Sequence, residues 1–332
     1  MPEAAARIWE LPQDRGSPGP VLRVFGAQDR VDAVDPTVVP HEYAHLHHTD
    51  RVFITGWNRR GPGAFSLTAR WPAAQGDGRC DPRVLAQTFR QSGLVIAHAE
   101  YGVPLSHHML LHDLNFTANP DFRLPEGRST VLDVEVTVAQ TRRSGRCASA
   151  LGMVVRIHQG EVTVAQAESE FAWSSPAVYR RLRGEHLGVD WGAWPLPAPV
   201  APELVGRVDE ADVVLAAGDR PQRWQLRNDP GNTWLFDHPV DHVPGLALLE
   251  AAYQAAHATV APARFAPATV TSNYERYVEF DEPCWLETEL RPATPSGRLT
   301  VLVTGTQGGR TVFRAGLSGA ACQGSGAGRL TG

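Results

Sequence analysis

Residues Asp113–Phe122 read DLNFTANPDF, and Thr271–Phe280 read TSNYERYVEF. Each block sets an asparagine, Asn115 or Asn273, directly before an aromatic residue. The surroundings match in order as well. Upstream of the first block lie DRVFITG (Asp50–Gly56), SLTARWP (Ser66–Pro72) and a helical stretch starting near Asp81. Upstream of the second lie ADVVLAAG (Ala211–Gly218), QRWQLRND from Gln222 and a helical stretch starting at Pro244. Downstream, VLDVEVTVAQTRRSGR precedes ALGMVVRIHQGEVTVAQAESEFAW, and CWLETELRPATPSGR precedes LTVLVTGTQGGRTVFRAGLSGA. Apolar and polar residues alternate along these runs, as half-buried antiparallel strands require. Ser144-Gly145-Arg146 and Ser296-Gly297-Arg298 stand as matching turns. The chain is therefore an internal duplication.

Each half sets one long helix early among several strands, which is the order of a hotdog unit. The expected fold is α+β, a tandem double hotdog: two long helices, each wrapped by an antiparallel sheet, forming a pseudo-dimer within one chain. For the first helix, Asp81 is the expected N-cap and Pro82 the first helical residue, with Gly102 and Pro104 marking its end. Its apolar positions Val84, Leu85, Phe89, Leu94, Val95 and Ala97 cover more than one face, as a helix enclosed by a sheet requires. The second helix runs from Pro244 to about His257 and repeats the pattern with Leu246, Leu248, Leu249 and Ala252. The expected organisation is an N-terminal extension over 1–34, repeat 1 over 35–175, a Pro- and Trp-rich linker over 176–204, repeat 2 over 205–322 and a tail over 323–332.

Composition narrows the function. The chain has 332 residues, long for one domain and sufficient for two. A net charge of -5 gives no electrostatic reason to expect nucleic acid or an anionic membrane as partner. The four cysteines, Cys80, Cys147, Cys284 and Cys322, are widely spaced without a CxxC pair, which fits reduced thiols. The opening MPEAAARIWELPQDRGSPG has no apolar signal core, and no apolar run approaches the length of a membrane span. A cytoplasmic location is expected, and neither metal nor cofactor is implied.

Superposing the helices sets Gln87 against Glu250, Arg90 against Tyr253, and Gln91 against Gln254. Positions three apart share a helix face, so Gln87 with Arg90, and Glu250 with Tyr253, can each address a groove. The same residues could also serve as interface ion-pair residues. More specific is Phe236–Glu250, FDHPVDHVPGLALLE. It resembles the HFPxxPxxPGxxxxE motif of hotdog hydroxyacyl dehydratases, with two residues deleted. In those proteins a histidine precedes the helix and an acid lies on the partner unit's helix. Here His238 would face Gln87, which cannot ionise, and Glu250 would face QGDGRCDP, which has no histidine. Neither groove holds the complete pair, which disfavours dehydration and favours chemistry needing orientation, one base and an oxyanion hole. His238 and His242 could alternatively be loop histidines satisfied by local hydrogen bonds.

HEYAH, His41–His45, matches the HExxH zinc pattern. That motif needs a helix to bring both imidazoles onto one face, together with a third ligand. Extended sequence, RVFITGW, follows within a few residues, so the cluster reads as the lead-in to the first long strand. His107, His108 and His112 likewise read as residues where a strand begins.

Together, VPHEYAHLHHTDRVFITGW, CDPRVLAQTFRQSGLVIAHAEYGVPLSHHMLLHDLNF and FDHPVDHVPGLALLEAAYQAA resemble the A-factor biosynthesis (AfsA-like) hotdog family of signalling-molecule enzymes, over about residues 35–322. The resemblance implies transfer of a β-ketoacyl group from acyl carrier protein to the primary hydroxyl of dihydroxyacetone phosphate. The products are precursors of γ-butyrolactone, butenolide or furan signals. It implies Glu250 as the base on the hydroxyl, the Gly245 N–H as an oxyanion donor and Arg90 as a phosphate or carboxyl contact. His238 and Gln87 complete the candidate catalytic set; Tyr253, Gln91, Asp241 and His242 are candidate substrate contacts. Members commonly carry an acid where Gln87 stands and an arginine where Tyr253 stands. Assembly into a homo-oligomer stays open.

Overall fold

The structure is a computed structural model describing residues 37–74, 77–145 and 147–322. The extension expected over 1–34 and the tail over 323–332 lie outside these residues. In chain order the first half holds β1 (Thr37–Val38), β2 (Ile54–Gly61), β3 (Ala64–Trp71), α1 (Pro82–Ala99), β4 (His108–Ala118), β5 (Thr130–Ser144), β6 (Cys147–Gln159) and β7 (Val162–Ser174). After α2 (Pro176–Arg183), the second half holds β8 (Leu215–Ala217), β9 (Arg223–Leu226), α3 (Gly245–Val260), β10 (Arg264–Tyr274), β11 (Trp285–Arg291), β12 (Arg298–Gln307) and β13 (Arg310–Cys322).

Among the described residues, thirteen strands form one sheet ordered β1-β2-β3-β5-β6-β7-β4-β10-β13-β12-β11-β9-β8. Counted outward from the centre, β4-β7-β6-β5-β3-β2 is answered by β10-β13-β12-β11-β9-β8. The duplication seen in the sequence is thus a duplication of topology. Strand alternation supplies the core: Leu132, Val134 and Val136 of β5 are buried while Asp133 and Glu135 are exposed.

The two blocks that opened the reading meet at the centre, where β4 and β10 pair antiparallel with Phe116 opposite Val270. The Ser272 N–H donates to Asn115 Oδ1 at 3.1 Å, and the Ser272 hydroxyl donates to the Leu114 carbonyl at 2.7 Å. Asn115 therefore stitches the two repeats together. α1 starts at its expected cap, with the Asp81 carboxylate accepting the Arg83 N–H at 2.8 Å. Its buried residues run almost without a break from Val84 to His98. Arg90, at half-burial, interrupts them.

Gln91 and Gln254 perform one task in both repeats. Gln91 Oε1 accepts the Phe53 and Ile54 N–H groups at 2.7 and 3.2 Å, and its amide donates to the Arg51 carbonyl at 2.7 Å. Gln254 accepts the Val214 N–H at 2.9 Å and donates to the Asp212 carbonyl at 2.7 Å. Each glutamine satisfies the backbone where a strand approaches the helix, a need that burial makes strict. The shared role confirms the helix superposition. It also corrects Gln91 as a substrate contact, because its amide is spent on the backbone.

Candidate active site

A cavity of about 840 Å³ lies between α1, the 234–244 loop, the first turns of α3, α2 and the 274–279 segment. Gln87, Arg90, His238, His242, Gly245, Glu250 and Tyr253 all line it. Asp241 and Gln91 do not. Leu94, Leu111, Met153, Phe171, Val243 and Leu249 provide apolar wall. The 176–204 segment is more than a tether, since α2 contributes Tyr179 and Arg183 to the lining.

The two helices begin differently. Superposition places Pro82 of α1 opposite Gly245 of α3. α1 therefore has no N–H at its first position, and the Asp81 carboxylate lies over its end. α3 starts after Pro244 with an N–H on Gly245 and without a side-chain cap. Pro244, Gly245 and Leu246 line the cavity, so the positive end of the helix dipole lies at its wall. The glycine also answers to space: a β-carbon at 245 would come within 3.1 Å of the Tyr274 ring.

Across the cavity, Arg90 donates to the Ala44 carbonyl at 3.0 Å and approaches Gln87 Oε1 at 3.4 Å. It makes no ion pair among the described residues. Burial lowers its pKa to about 10, against the pull of Asp237, leaving it charged at neutral pH and receptive to an anion.

The 234–244 loop carries two Asp-His pairs. Asp237 accepts the N–H groups of His47 and His48 at 2.5 and 3.0 Å, the His48 ring at 2.7 Å and His238 Nδ1 at 3.1 Å. Burial would raise its pKa, but these hydrogen bonds outweigh burial and hold the carboxyl far below its usual range. Asp241 accepts from His242 Nδ1 at 2.8 Å, the Tyr179 hydroxyl at 2.7 Å and Arg183 Nε at 2.9 Å. Buried Arg183 also pairs with Glu279 at 2.6 Å. Asp241 thus holds His242, which lines the cavity, while Asp241 itself does not. His108 stacks on Tyr179 with ring centres 3.6 Å apart.

The Glu250 side is closed. Arg207 Nε and Nη2 grip Glu250 at 2.6–2.8 Å, and the Gln254 amide donates to the same carboxylate at 2.6 Å. Arg83 is shared between Asp81 at 2.7 Å and Asp212 at 2.8 Å. Burial disfavours the charge on Arg207, but Glu250 beside it raises the guanidinium pKa overall. Tyr253 is buried there, and burial together with the Glu250 charge pushes its hydroxyl well above the normal range.

HEYAH does not form a zinc motif. His41–Ala44 is a single 3-10 turn that His45 ends in the left-handed region at φ 53°. His41 points to Glu42 at the surface, while His45 lies in the cavity wall. His45 entered the sequence reading only as part of the zinc pattern, and Asp237 was not a candidate, although the doubled DH in FDHPVDH was a usable signal for it.

Residues 27–174 and 192–323 match the A-factor biosynthesis hotdog domain. A protein of Streptomyces virginiae named 2-oxo-3-(phosphooxy)propyl 3-oxoalkanoate synthase is 41% identical over 282 residues, covering 83% of this chain and 96% of the relative. A Streptomyces coelicolor protein of the same name is 36% identical over 316 residues, covering 92% and 100%. A solved structure described as an oleoyl thioesterase from Lactobacillus plantarum superposes with a TM-score of 0.50 at 13% identity, covering 79% of this chain and 98% of that one, a likeness of fold. The duplicated hotdog topology and the match across both halves give one conclusion: the chain belongs to the A-factor biosynthesis (AfsA) hotdog family.

Proposed function

We propose that the chain transfers a 3-oxoacyl group from the thioester of an acyl carrier protein to the primary hydroxyl of dihydroxyacetone phosphate. The product is the ester that the names of its relatives describe. A cytoplasmic setting fits this reading; among the described residues no helix is long and apolar enough to cross a membrane. The carrying observation is the uncapped start of α3 in the same cavity as an arginine without a carboxylate partner. One end suits a carbonyl becoming an oxyanion, and the other suits a phosphate.

In this reading the thioester carbonyl faces the Gly245 N–H, and the acyl tail lies along Leu94, Met153 and Phe171. Arg90 holds the phosphate. The hydroxyl oxygen attacks the carbonyl carbon, the new C–O bond forms, and the C–S bond breaks. His238, oriented by Asp237, returns a proton to the departing sulfur. The base on the hydroxyl moves away from Glu250, whose carboxylate is occupied by Arg207, to an imidazole of the wall. Incubating the protein with a 3-oxoacyl carrier-protein thioester and dihydroxyacetone phosphate, followed by mass spectrometry, tests the reading. A phosphorylated ester supports transfer. Free acid alone replaces it with hydrolysis, and unchanged thioester with saturable binding replaces it with a binding function.

A further inference from the structure

His45 terminates a one-turn helix in a left-handed conformation that non-glycine residues seldom adopt. That conformation sets its ring in the cavity wall, with Nε2 2.8 Å from Nε2 of His98. His98 is committed on its other side, where Nδ1 lies 2.6 Å from the Val103 carbonyl. A carbonyl oxygen can only accept, so the His98 proton is on Nδ1. A neutral His98 then offers a lone pair on Nε2, and the bridging proton belongs to His45 Nε2. His45 Nδ1 is left as a bare acceptor, and it has no hydrogen-bond partner among the described residues.

We infer that the imidazole of His45, its tautomer fixed by His98, receives the proton of the acceptor's primary hydroxyl. The inference rests on the transfer reading above and names its base. The alcohol proton goes to His45 Nδ1 as the oxygen attacks the thioester carbon; His238, entering the step as the imidazolium, gives its proton to the departing thiolate and becomes neutral. One proton is then displaced from His238 to His45, and its return through the cavity resets the pair.

The surroundings make this base conditional on the acceptor. Burial, then Arg90, His98, His238 and His108, all disfavour a charge on His45 and lower its pKa to about 3; Asp237 in turn favours the charge on Arg90. A phosphate seated on Arg90 cancels the largest of these charges. A phosphorylated acceptor therefore raises the basicity of the imidazole by offsetting Arg90, which water arriving alone does not. That is a physical reason for transfer to prevail over hydrolysis.

The test uses the full chain. His45→Ala is expected to slow ester formation by roughly 100-fold or more, with donor binding retained and part of the rate restored by added imidazole. Nitrogen-15 spectra of histidine-labelled wild-type protein should show His45 protonated on Nε2 and bare on Nδ1, a measurement that needs no variant to fold. In His98→Phe the tautomer preference should be lost and the pH–rate profile displaced. Ester formation by His45→Ala at the wild-type rate, or a protonated Nδ1 in the wild type, overturns the proposal. Absence of ester from the wild-type protein overturns the transfer reading itself, whatever the tautomer.

Discussion

The two ends of the duplication differ most where their helices begin. At α1, Pro82 removes an N–H and Asp81 covers the end with a negative charge; at α3, Gly245 keeps its N–H and no side chain caps it. Charge is divided in the same way. Glu250, Asp81 and Asp212 are all ion-paired by Arg207 and Arg83 on the α1 side, while Arg90 on the other side has no ion pair among the described residues. What both repeats retain, the glutamine clamp of Gln91 and Gln254, serves the fold. A duplication thus kept its scaffold chemistry and unbalanced its polar groups, so one end is locked in ion pairs and the other is left open.

The sharpest way to break this contrast is to give α3 the start that α1 has. Gly245→Pro removes the N–H at a position where proline fits a helix, while Gly245→Ala adds a β-carbon and keeps the donor. If the N–H binds the oxyanion, the proline variant loses roughly 100- to 1,000-fold in kcat. The alanine variant, crowding only the Tyr274 ring, should lose far less. Equal losses in the two variants would mean that space at 245 matters and the donor does not.

Arg90→Met tests the open side next. Losing a charge-assisted contact to phosphate should raise KM for dihydroxyacetone phosphate by roughly 10- to 100-fold. Donor binding should stay unchanged. An unaltered KM would place the phosphate elsewhere.

Glu250→Gln probes the locked side and should affect the reaction least of the three. It leaves Arg207 buried without its carboxylate, a change that costs about 3–5 kcal/mol when one partner of a buried pair is removed. Urea unfolding should record that loss, while the turnover of folded protein stays within roughly tenfold, well short of the 100-fold or more expected on losing a general base. A collapse of kcat in folded protein would return the base to Glu250.

These contrasts also explain what could be read from sequence. The fold was legible because alternation and repeat order are local properties, and the DLNF and TSNY blocks survive at the central strand pair. The start of α3 was legible through Pro244-Gly245. Gln91 was misassigned because a buried amide and a substrate-facing amide look alike until the strand that it clamps is placed. Arg207 and Arg183 were invisible, since each reaches its carboxylates from the stretch between the repeats or its edge, 43 and 58 residues away in sequence from Glu250 and Asp241. His45 was discounted with its motif, because only the tertiary fold brings it to His98, 53 residues on.

The smallest effect in the comparison is one of protons. Each end has an imidazole desolvated beside an arginine: His45 by burial and then Arg90, with its pKa lowered from 6.5 to about 3, and His257 by burial and then Arg207, lowered from 6.5 to about 4. Where the folded pKa lies below the unfolded one, the unfolded chain binds the extra proton, so stability falls as pH drops through that window. Both histidines should therefore make the protein less stable between pH 6.5 and about 4, and His45 alone should continue to do so toward about 3. Asp113, raised by burial to about 6, acts in the opposite sense. It cancels when variants are compared with wild type. Unfolding free energies measured against pH should be flatter for His45→Asn and for His257→Asn, each by about one proton. The two differences should separate only below about pH 4. A His45→Asn curve parallel to wild type would show that Arg90 and burial do not hold this ring neutral, and the two ends would then differ in their histidines as well.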